Sequence, residues 1–486
     1  MFEQNFKNID NKLRSDAGCG SELDYVEQSS WILFLKYLND YEKTKKLEAE
    51  LEGNEYTPIL PPEYQWSAWA VPKLADGSID EKGMLTGSDL IEFVNKTLFP
   101  YLKKFKKQAS ETATIQYKIG EIFSEIHCKI ASGAVLNEVL REVDALQFQT
   151  VEDRHEMSVL YESRINMMGN AGRNGGEYYT PRPLIRSIIR VIDLKLGRTV
   201  YDGACGSAGF LCEAFTYLRE KAKREGTVED VEALQTDTFF GKEKKVLPYI
   251  IGTMNMILHG VETPNIKHTN TLSESTSDIE DCDRYDYILA NPPFGGIERS
   301  EVKKNFTFQT SETAYLFLQH FMSRLREGGH AGIVIKNTFL SNGDATAIRQ
   351  DLLKSCRLYA ILDLPPKVFT AGVKTVVLFF EKGTPTDKIW YYQLNLDRTL
   401  GKTNPLNEQD LAEFERLFPT RGESENSWTV NVEDIDPNTF DLSVKNPNRV
   451  EEVQTRGVEE ILESLEKLNR ENADILEELR DLIDGK

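Results

Sequence analysis

Short apolar segments alternate with helical segments between about residues 175 and 395, and this alternation constrains the fold more than any other feature. The apolar segments are rich in β-branched and aromatic residues, which favour extended backbone. Strands that alternate with helices are typical of a mainly parallel sheet covered on both faces. We therefore predict an α/β domain with strands at TVYD (199–202), TFFGKE (238–243), YDYILA (285–290), HAGIVIK (330–336), LYAILDL (358–364) and VVLFFEKG (376–383).

The two flanks of this region have different patterns. Residues 1–165 predict a helical N-terminal domain, because apolar residues recur there with the 3.6-residue period of an amphipathic helix. Its clearest helix is expected to start at the Ser29–Ser30 pair, as serine caps helix N-termini. Residues 57–87 contain Pro and Gly and predict a loop. We assign 166–445 to the α/β domain and 446–486 to a C-terminal helical assembly segment.

The predicted strand at 285–290 runs directly into the motif Asn-Pro-Pro-Phe. The two prolines fix φ and remove backbone donors, so we expect the Asn291 amide and the Pro292 carbonyl to point towards the same place. A planar amino group on a nucleobase or a side-chain amide could bind there. Phe294 could stack on a base that has been turned out of the duplex. We predict that Asn291, Pro292, Pro293 and Phe294 form a catalytic motif, although an ordinary strand with a Pro-Pro turn has the same pattern.

A glycine-rich turn follows the first predicted strand, in TVYDGACGSAGFL (199–211). A ligand typically binds at such a turn, beyond the carboxyl end of the sheet. Asp202 precedes the turn and would repel a phosphate, whereas it could accept hydrogen bonds from an amine. S-adenosylmethionine carries an ammonium, a sulfonium and ribose hydroxyls instead of phosphates, so the acidic turn favours this cofactor. Glu243 ends the next strand and could accept from both ribose hydroxyls; a surface position is the alternative.

Upstream, GGEYYTPRPLIRSII (175–189) joins a glycine-rich loop to a predicted helix. Thr180 is expected to cap that helix and Pro181 to occupy its first turn. The tyrosines and Thr180 could form a wall at the methionine end of the cofactor. An ordinary capped helix is the alternative interpretation.

The composition limits where and how such a chain could work. Its formal charge is −20, so it lacks the overall positive field that attracts DNA, and local patches or a partner must supply it. The six cysteines form no C-x-x-C pair, so neither a disulfide framework nor a metal site is predicted. With no apolar signal segment at the N-terminus, and no membrane-length apolar run, we expect a cytoplasmic protein.

The last predicted helix has a narrow apolar seam with spacings of three and four residues, which is typical of a coiled coil. An asparagine within such a seam selects register and partner. We interpret it as a docking helix, with a core helix of the chain's own bundle as the alternative. The seam consists of Val458, Ile461, Leu465, Leu468, Asn472, Ile475, Leu479 and Leu482.

Taken in order, these motifs resemble the DNA methylation (modification) subunit of type I restriction–modification systems, a family of adenine-N6 methyltransferases. The resemblance covers about 115–395 and rests on GEYYTPRPLI, DGACGSAGFL, GKE, NPPFGG, LREGGHAGIVIKN and LPPKVFTAGVKTVVLFFEKG. It implies a Rossmann-like S-adenosylmethionine-dependent methyltransferase domain in which Asn291 to Phe294 hold adenine. The implied cofactor residues, with Asp202 added from its position, are Glu177, Tyr178, Tyr179, Thr180, Pro181, Arg182, Ser207, Ala208, Gly209 and Glu243.

The resemblance also implies partners: double-stranded DNA with a flipped adenine, a specificity subunit bound by two methylation subunits, and a restriction subunit for cleavage. No role is assigned from the sequence to Asn270 or Lys336. Other interpretations remain open at this point. They are a stand-alone adenine methyltransferase, an enzyme of another phage-defence system, a methyltransferase for a protein glutamine or an RNA amine, and a non-catalytic scaffold for a DNA complex.

Overall fold

The structure, a computed structural model, describes residues 2–109, 114–146, 158, 161–162, 179–369, 372–401 and 403–448. Its centre is a sheet of nine strands in the order β3-β2-β1-β4-β5-β7-β6-β8-β9. The strands are β1 (Val200–Asp202), β2 (Phe239–Glu243), β3 (Asn265–His268), β4 (Tyr285–Ala290), β5 (Leu325–Lys336), β6 (Cys356–Asp363), β7 (Thr375–Lys382), β8 (Lys388–Gln393) and β9 (Ser427–Asn431).

Helices cover this sheet and form the N-terminal part of the described chain. The N-terminal helices are α1 (Phe2–Arg14), α2 (Glu22–Glu52), α3 (Trp66–Trp69), α4 (Gly87–Glu92), α5 (Phe99–Gln108), α6 (Ile115–Glu125) and α7 (Gly133–Asp144), with a π-helical stretch at Phe93–Leu98. The remaining helices are α8 (Arg182–Ile192), α9 (Gly209–Glu225), α10 (Val228–Thr236), α11 (Val246–His259), α12 (Ser300–Lys303), α13 (Thr313–Arg324), α14 (Thr346–Ser355) and α15 (Ala412–Leu417).

The predicted sheet is confirmed as mainly parallel, with antiparallel pairs at β5–β7, β6–β7 and β8–β9. Two hydrophobic cores lie against its faces. One contains residues of α8, α9 and α11 and continues into the N-terminal helices, and the other contains residues of α13 and α14. Strand β7 shows why both faces are apolar: Val377 and Phe379 belong to the first core, whereas Val376 and Leu378 belong to the second.

Several local predictions differ from the structure. Helix α2 begins at Glu22 with Ser21 as its cap, whereas Ser29 and Ser30 are buried inside the helix. The Ser29 hydroxyl donates to the Tyr25 carbonyl at 2.7 Å, and the Ser30 hydroxyl lies 2.8 Å from that of Tyr161. A serine that bonds one turn back can therefore resemble a cap in the sequence. Strands β3, β8 and β9 were not predicted, and the predicted loop at 57–87 contains the short helix α3.

The N-terminal helices pack on the sheet through polar contacts as well as the shared core. Lys118 of α6 donates to the Ile266 carbonyl of β3 at 3.0 Å. Tyr249 of α11 donates to Glu121 of α6 at 2.6 Å. Within the described ranges, every helix is either too short or too polar to cross a membrane.

The chain reverses direction across the sheet between β1 and β4. From β1 it continues to β2 and β3 on one side, and it returns to β4 on the other side. Ligands of open α/β sheets bind beyond the carboxyl ends of the strands at such a switch point. The two loops that flank this point follow Asp202 and Ala290, which are the last residues of β1 and β4.

Candidate active site

A cleft at the switch point brings together the glycine-rich turn after β1 and the Asn-Pro-Pro-Phe motif after β4. These segments are far apart in sequence and meet because β1 and β4 are parallel neighbours. Six of its lining residues are among the predicted site residues, and the other four lie in the predicted glycine-rich segment 199–211. The cleft is lined by Thr180, Arg182, Asp202, Ala204, Cys205, Gly206, Ser207, Gly209, Phe210 and Asn291.

The turn between β1 and α9 needs small residues to keep its shape. Gly206 and Ala208 have φ values of 52° and 61°, in the left-handed region that favours glycine. Helix α9 then begins at Gly209, where a Cβ would overlap the Arg182 guanidinium. A side chain at either glycine would therefore strain the turn, which keeps the backbone open to close approach by a ligand.

Two carboxylates lie beside this turn. Asp202 is 1% exposed, and its Oδ1 accepts from the Ala204 N–H at 3.0 Å. Burial, with the nearby charge of Glu243, raises the pKa of Asp202 to about 8. Glu243 accepts from the Gly206 N–H at 3.0 Å and from the Lys245 N–H at 2.7 Å, and burial raises its pKa. Both carboxyls retain lone pairs for a ligand's donors.

This arrangement fits S-adenosylmethionine better than a dinucleotide. In dinucleotide-binding folds the pyrophosphate lies on the backbone N–H groups of the glycine-rich turn. Here the Gly206 N–H is already donated to the Glu243 carboxyl, so a phosphate would lack that donor and would lie beside an acidic side chain. Acceptors beside a tight turn of small residues suit hydroxyl and ammonium donors instead.

The Asn291 side chain projects into the cleft with a defined orientation. Its Nδ2 donates to the Thr180 hydroxyl at 3.0 Å. Its Oδ1 is buried and has no hydrogen-bond partner among the described residues. Such an orphaned acceptor is rare in folded proteins and indicates a missing donor. The predicted cap role of Thr180 is wrong: Pro181 occupies the cap position of α8, and no side chain caps that helix end.

The rest of the motif continues away from Asn291. Pro292 and Phe294 are buried, and Pro293 is half-buried. The Phe294 ring packs edge-to-face on Phe369, with ring centroids 5.1 Å apart and an interplanar angle of 79°. The aromatic face predicted for base stacking therefore has an aromatic neighbour in this structure.

Several other singled-out residues have defined surroundings. Ser207 and Ala208 are buried in the turn, and the Tyr179 ring lies 5.0 Å from the Arg182 guanidinium carbon. Glu177 and Tyr178 lie outside the described residues. The Asn270 side chain accepts from the Leu272 N–H at 3.2 Å. Lys336 forms an ion pair with Glu312 at 2.7 Å.

Two polar residues behind the turn were not recognised from the sequence. Glu162 pairs with Arg182 at 2.7 Å, and Asn255 donates to both Glu162 and the Ser207 carbonyl. Asn255 had a usable signal, because a polar side chain inside the apolar helix VLPYIIGTMNMILH must find a partner. No comparable signal marks Glu162.

Comparison with protein families and solved structures agrees with this geometry. The family model described as N-6 DNA Methylase matches residues 152–456, and the HsdM N-terminal domain model matches residues 2–143. The EcoEI type I restriction enzyme methylase subunit of Escherichia coli is 34% identical over 98% of this chain and 96% of that subunit. The EcoKI methylase subunit of E. coli K12 is 28% identical over 85% of this chain and 76% of that subunit.

Two solved structures share the fold. A Vibrio vulnificus YJ016 protein assigned as a type I restriction enzyme modification subunit has a TM-score of 0.81 and 34% identity, covering 92% of this chain and 97% of that one. A chain from a study of complex assembly in a type I restriction–modification system has a TM-score of 0.78 and 34% identity, covering 100% and 98%.

The family match defines a DNA methyltransferase, a class with which the sheet, the acidic glycine-rich turn and the Asn-Pro-Pro-Phe motif agree. The chain belongs to the N-6 DNA methylase family and, within it, to the methylase (modification) subunits of type I restriction–modification systems. The resemblance stated from the sequence is thereby confirmed.

Proposed function

We propose that this subunit transfers a methyl group to N6 of adenine in DNA, at a sequence chosen by a partner specificity subunit. One observation carries this proposal: Asn291 lines the same cleft as the glycine-rich turn, and its buried Oδ1 has no hydrogen-bond donor among the described residues. An exocyclic amino group supplies the donor that this acceptor lacks. Membership of the N-6 DNA methylase family supports adenine as the base.

The chain's residues would act by holding the amine. The Thr180 hydroxyl accepts from Asn291 Nδ2, which leaves the amide oxygen to accept from a ligand. The Asn291 Oδ1 would then accept a hydrogen bond from one N6–H, and the Pro292 carbonyl would accept a hydrogen bond from the other. Two such bonds draw the nitrogen lone pair out of the ring and make it a better nucleophile. Rate enhancement comes from positioning and electrostatics, without a covalent intermediate on the protein.

The glycine-rich side of the cleft would hold the cofactor. S-adenosylmethionine, when bound, supplies an activated methyl group. We assign Glu243 to its ribose hydroxyls and Asp202 to its amine side, since both carboxyls face small residues of the turn. Ser207, Ala208 and Gly209 would contact it through the backbone. Residues 177–182 would also contribute to the cofactor site, as the family resemblance implies.

The adenine would have to leave the duplex, because its amino group is inaccessible within paired, stacked DNA. We propose that Phe294 forms the aromatic wall of the base site. Its edge-to-face contact with Phe369 supports this role by fixing the ring.

Assembly with partners accounts for the acidity of the chain. A subunit with a formal charge of −20 is poorly suited to bind DNA alone, so we propose that a specificity subunit supplies most phosphate and base contacts. Two copies of this chain would bind it, and a restriction subunit would join for cleavage in the cytoplasm. Residues 446–486 would dock on the specificity subunit, while 1–165 and 166–445 would form the helical and catalytic domains. The seam residues from Val458 to Leu482 lie outside the described residues.

Sequencing of DNA methylation in the host provides the test in cells. Deletion of the gene should remove N6-methyladenine from one recognition sequence, and restoring the gene should bring it back. Deletion of the specificity subunit gene should have the same effect. Persistence of the methylation in that second deletion would instead support a stand-alone enzyme, and no change in either strain would refute the proposed function.

A further inference from the structure

We propose that Glu162 and Asn255 are positioning residues that hold the cofactor turn and the Asn291 amide in register through Arg182 and Thr180. This inference rests on the proposed function. Neither Glu162 nor Asn255 belongs to any of the motifs that mark the site. Both form hydrogen bonds to residues that line the cleft: Glu162 to Arg182, and Asn255 to the Ser207 carbonyl.

The first half of the connection reaches the glycine-rich turn. Asn255 of α11 donates from Nδ2 to the Ser207 carbonyl at 3.0 Å and to Glu162 Oε1 at 3.1 Å. The Asn255 side chain is buried. Ser207 immediately precedes Ala208, whose left-handed conformation starts helix α9. The Asn255 amide therefore links the residue before the left-handed Ala208 to the buried carboxylate of Glu162.

The second half reaches the catalytic asparagine. Glu162 Oε2 accepts from Arg182 Nε at 2.7 Å. Arg182 Nη1 donates to the Thr180 carbonyl at 3.1 Å, and the Thr180 hydroxyl accepts from Asn291 Nδ2 at 3.0 Å. A single chain of hydrogen bonds therefore runs from the turn to the amide proposed to hold adenine.

Burial and charge explain why this unit should be rigid. The side chains of Arg182 and Glu162 are 7% and 11% exposed. Burial alone would raise the pKa of Glu162, but the Arg182 guanidinium outweighs it and holds that pKa at about 2. The carboxylate is therefore charged at neutral pH. Removing one partner of such a pair leaves an uncompensated buried charge, which is strongly unfavourable.

The same carboxylate has other neighbours that could suggest a metal site. Donor atoms of Glu162, Cys212 and His259 all lie within 4.8 Å of one another. However, both Glu162 oxygens already accept hydrogen bonds from Arg182 and Asn255, and a guanidinium would repel a cation. The contacts therefore favour a positioning unit over a metal centre.

A second ion pair provides a control, because its arginine lies on the same helix as Arg182. Arg186 lies one turn after Arg182 on α8 and pairs with Glu213 at 2.9 Å. The Glu213 side chain is 10% exposed, close to the value for Glu162. Among the described residues, the Glu213 carboxylate accepts from Arg186 Nε at 2.9 Å, a contact that involves neither Thr180 nor Ser207. Glu213→Gln therefore removes a carboxylate of similar burial, from an ion pair whose arginine is 44% exposed, without touching the proposed connection.

The experiment measures cofactor affinity and the single-turnover methylation rate of the assembled complex. Glu162→Gln should weaken S-adenosylmethionine binding about tenfold or more, the scale for a lost charge-assisted hydrogen bond. It should also slow methyl transfer at saturating cofactor, whereas Glu213→Gln should change both by less than about twofold. Circular dichroism must show both variants folded; if Glu162→Gln is not, Asn255→Leu replaces it in the same comparison.

A double-mutant cycle separates positioning from general support. Thr180→Val cuts the connection to Asn291, so adding Glu162→Gln should slow methyl transfer less than it does in the wild-type background. Additive effects, or equal behaviour of Glu162→Gln and Glu213→Gln, would overturn the inference while leaving the function intact. A wild-type complex that transfers no methyl group would instead overturn the proposed function.

Discussion

Replacing Asn291 tests the proposed chemistry at its centre. The structure gives this side chain one anchored group, Nδ2 on Thr180 at 3.0 Å, and one buried acceptor, Oδ1, with no partner among the described residues. Asn291→Ala removes that acceptor. Loss of one preorganised hydrogen-bonding group from a transition state costs about 2.7–4 kcal/mol, so the methylation rate should fall about 10²- to 10³-fold. Cofactor affinity should stay within about threefold, because the carboxylates beside the turn are unchanged.

Asn291→Asp provides the graded comparison. It keeps an acceptor oxygen, and the Thr180 hydroxyl can rotate to donate to the new carboxyl. Burial near Asp202 would raise the pKa of that carboxyl and so limit the added charge. We therefore expect an intermediate rate.

Transfer of a labelled methyl group from saturating cofactor in a single turnover separates the chemical step from product release. An alanine variant that retains more than about a tenth of the wild-type rate would refute the role of Oδ1.

Three further predictions concern the cofactor and assembly. Glu243→Ala should weaken S-adenosylmethionine binding by at least about tenfold in titration calorimetry, the scale for a lost charge-assisted bond, and unchanged affinity would return Glu243 to a structural role. The pKa of Asp202 is about 8 in the folded protein and about 4 in the unfolded chain. The unfolded chain therefore loses this proton first, and the free energy of unfolding should fall as pH rises from about 4 to about 8. Asp202→Asn should therefore raise the melting temperature of the cofactor-free protein more at pH 8 than at pH 5 while weakening cofactor binding; an equal effect at both values would contradict the burial argument. Deletion of residues 450–486 should preserve cofactor binding but abolish copurification with the specificity subunit, and an unfolded product would assign the segment to the core.

The sequence predicted the central strands well, because their side chains are apolar on both faces. In β7, neighbouring residues such as Val376 and Val377 enter opposite cores, which leaves a continuous apolar run. Among the unpredicted strands, β8 has four consecutive buried residues, IWYY at 389–392, and was recognisable from the sequence, whereas β3 (Asn265–His268) is short and carries polar residues. Strands like β3 form through pairing with neighbours and not through a local preference.

The candidate site was only partly readable from the sequence for a similar reason. Motifs singled out Asp202, which ends β1 before the glycine-rich turn, and Asn291, which follows β4 and begins the Pro-Pro motif, and the fold places both at one cleft. Thr180 was predicted to cap a helix because threonine is common at that position. In the structure its hydroxyl instead accepts from Asn291, which lies directly after β4. Glu162 becomes recognisable only when the fold places it beside Arg182.

The most direct test of the whole account is identification of the methylated base. The purified subunit, assembled with its specificity subunit, would be incubated with duplex DNA containing the recognition sequence and S-adenosylmethionine with a deuterated methyl group. Nucleosides from the digested DNA would then be separated by liquid chromatography and identified by mass spectrometry. We expect deuterated N6-methyladenine, and at least about 100-fold less of it in the same reaction time when Asn291→Ala replaces the wild-type subunit. Label on cytosine, on protein or nowhere in the wild-type reaction would contradict it.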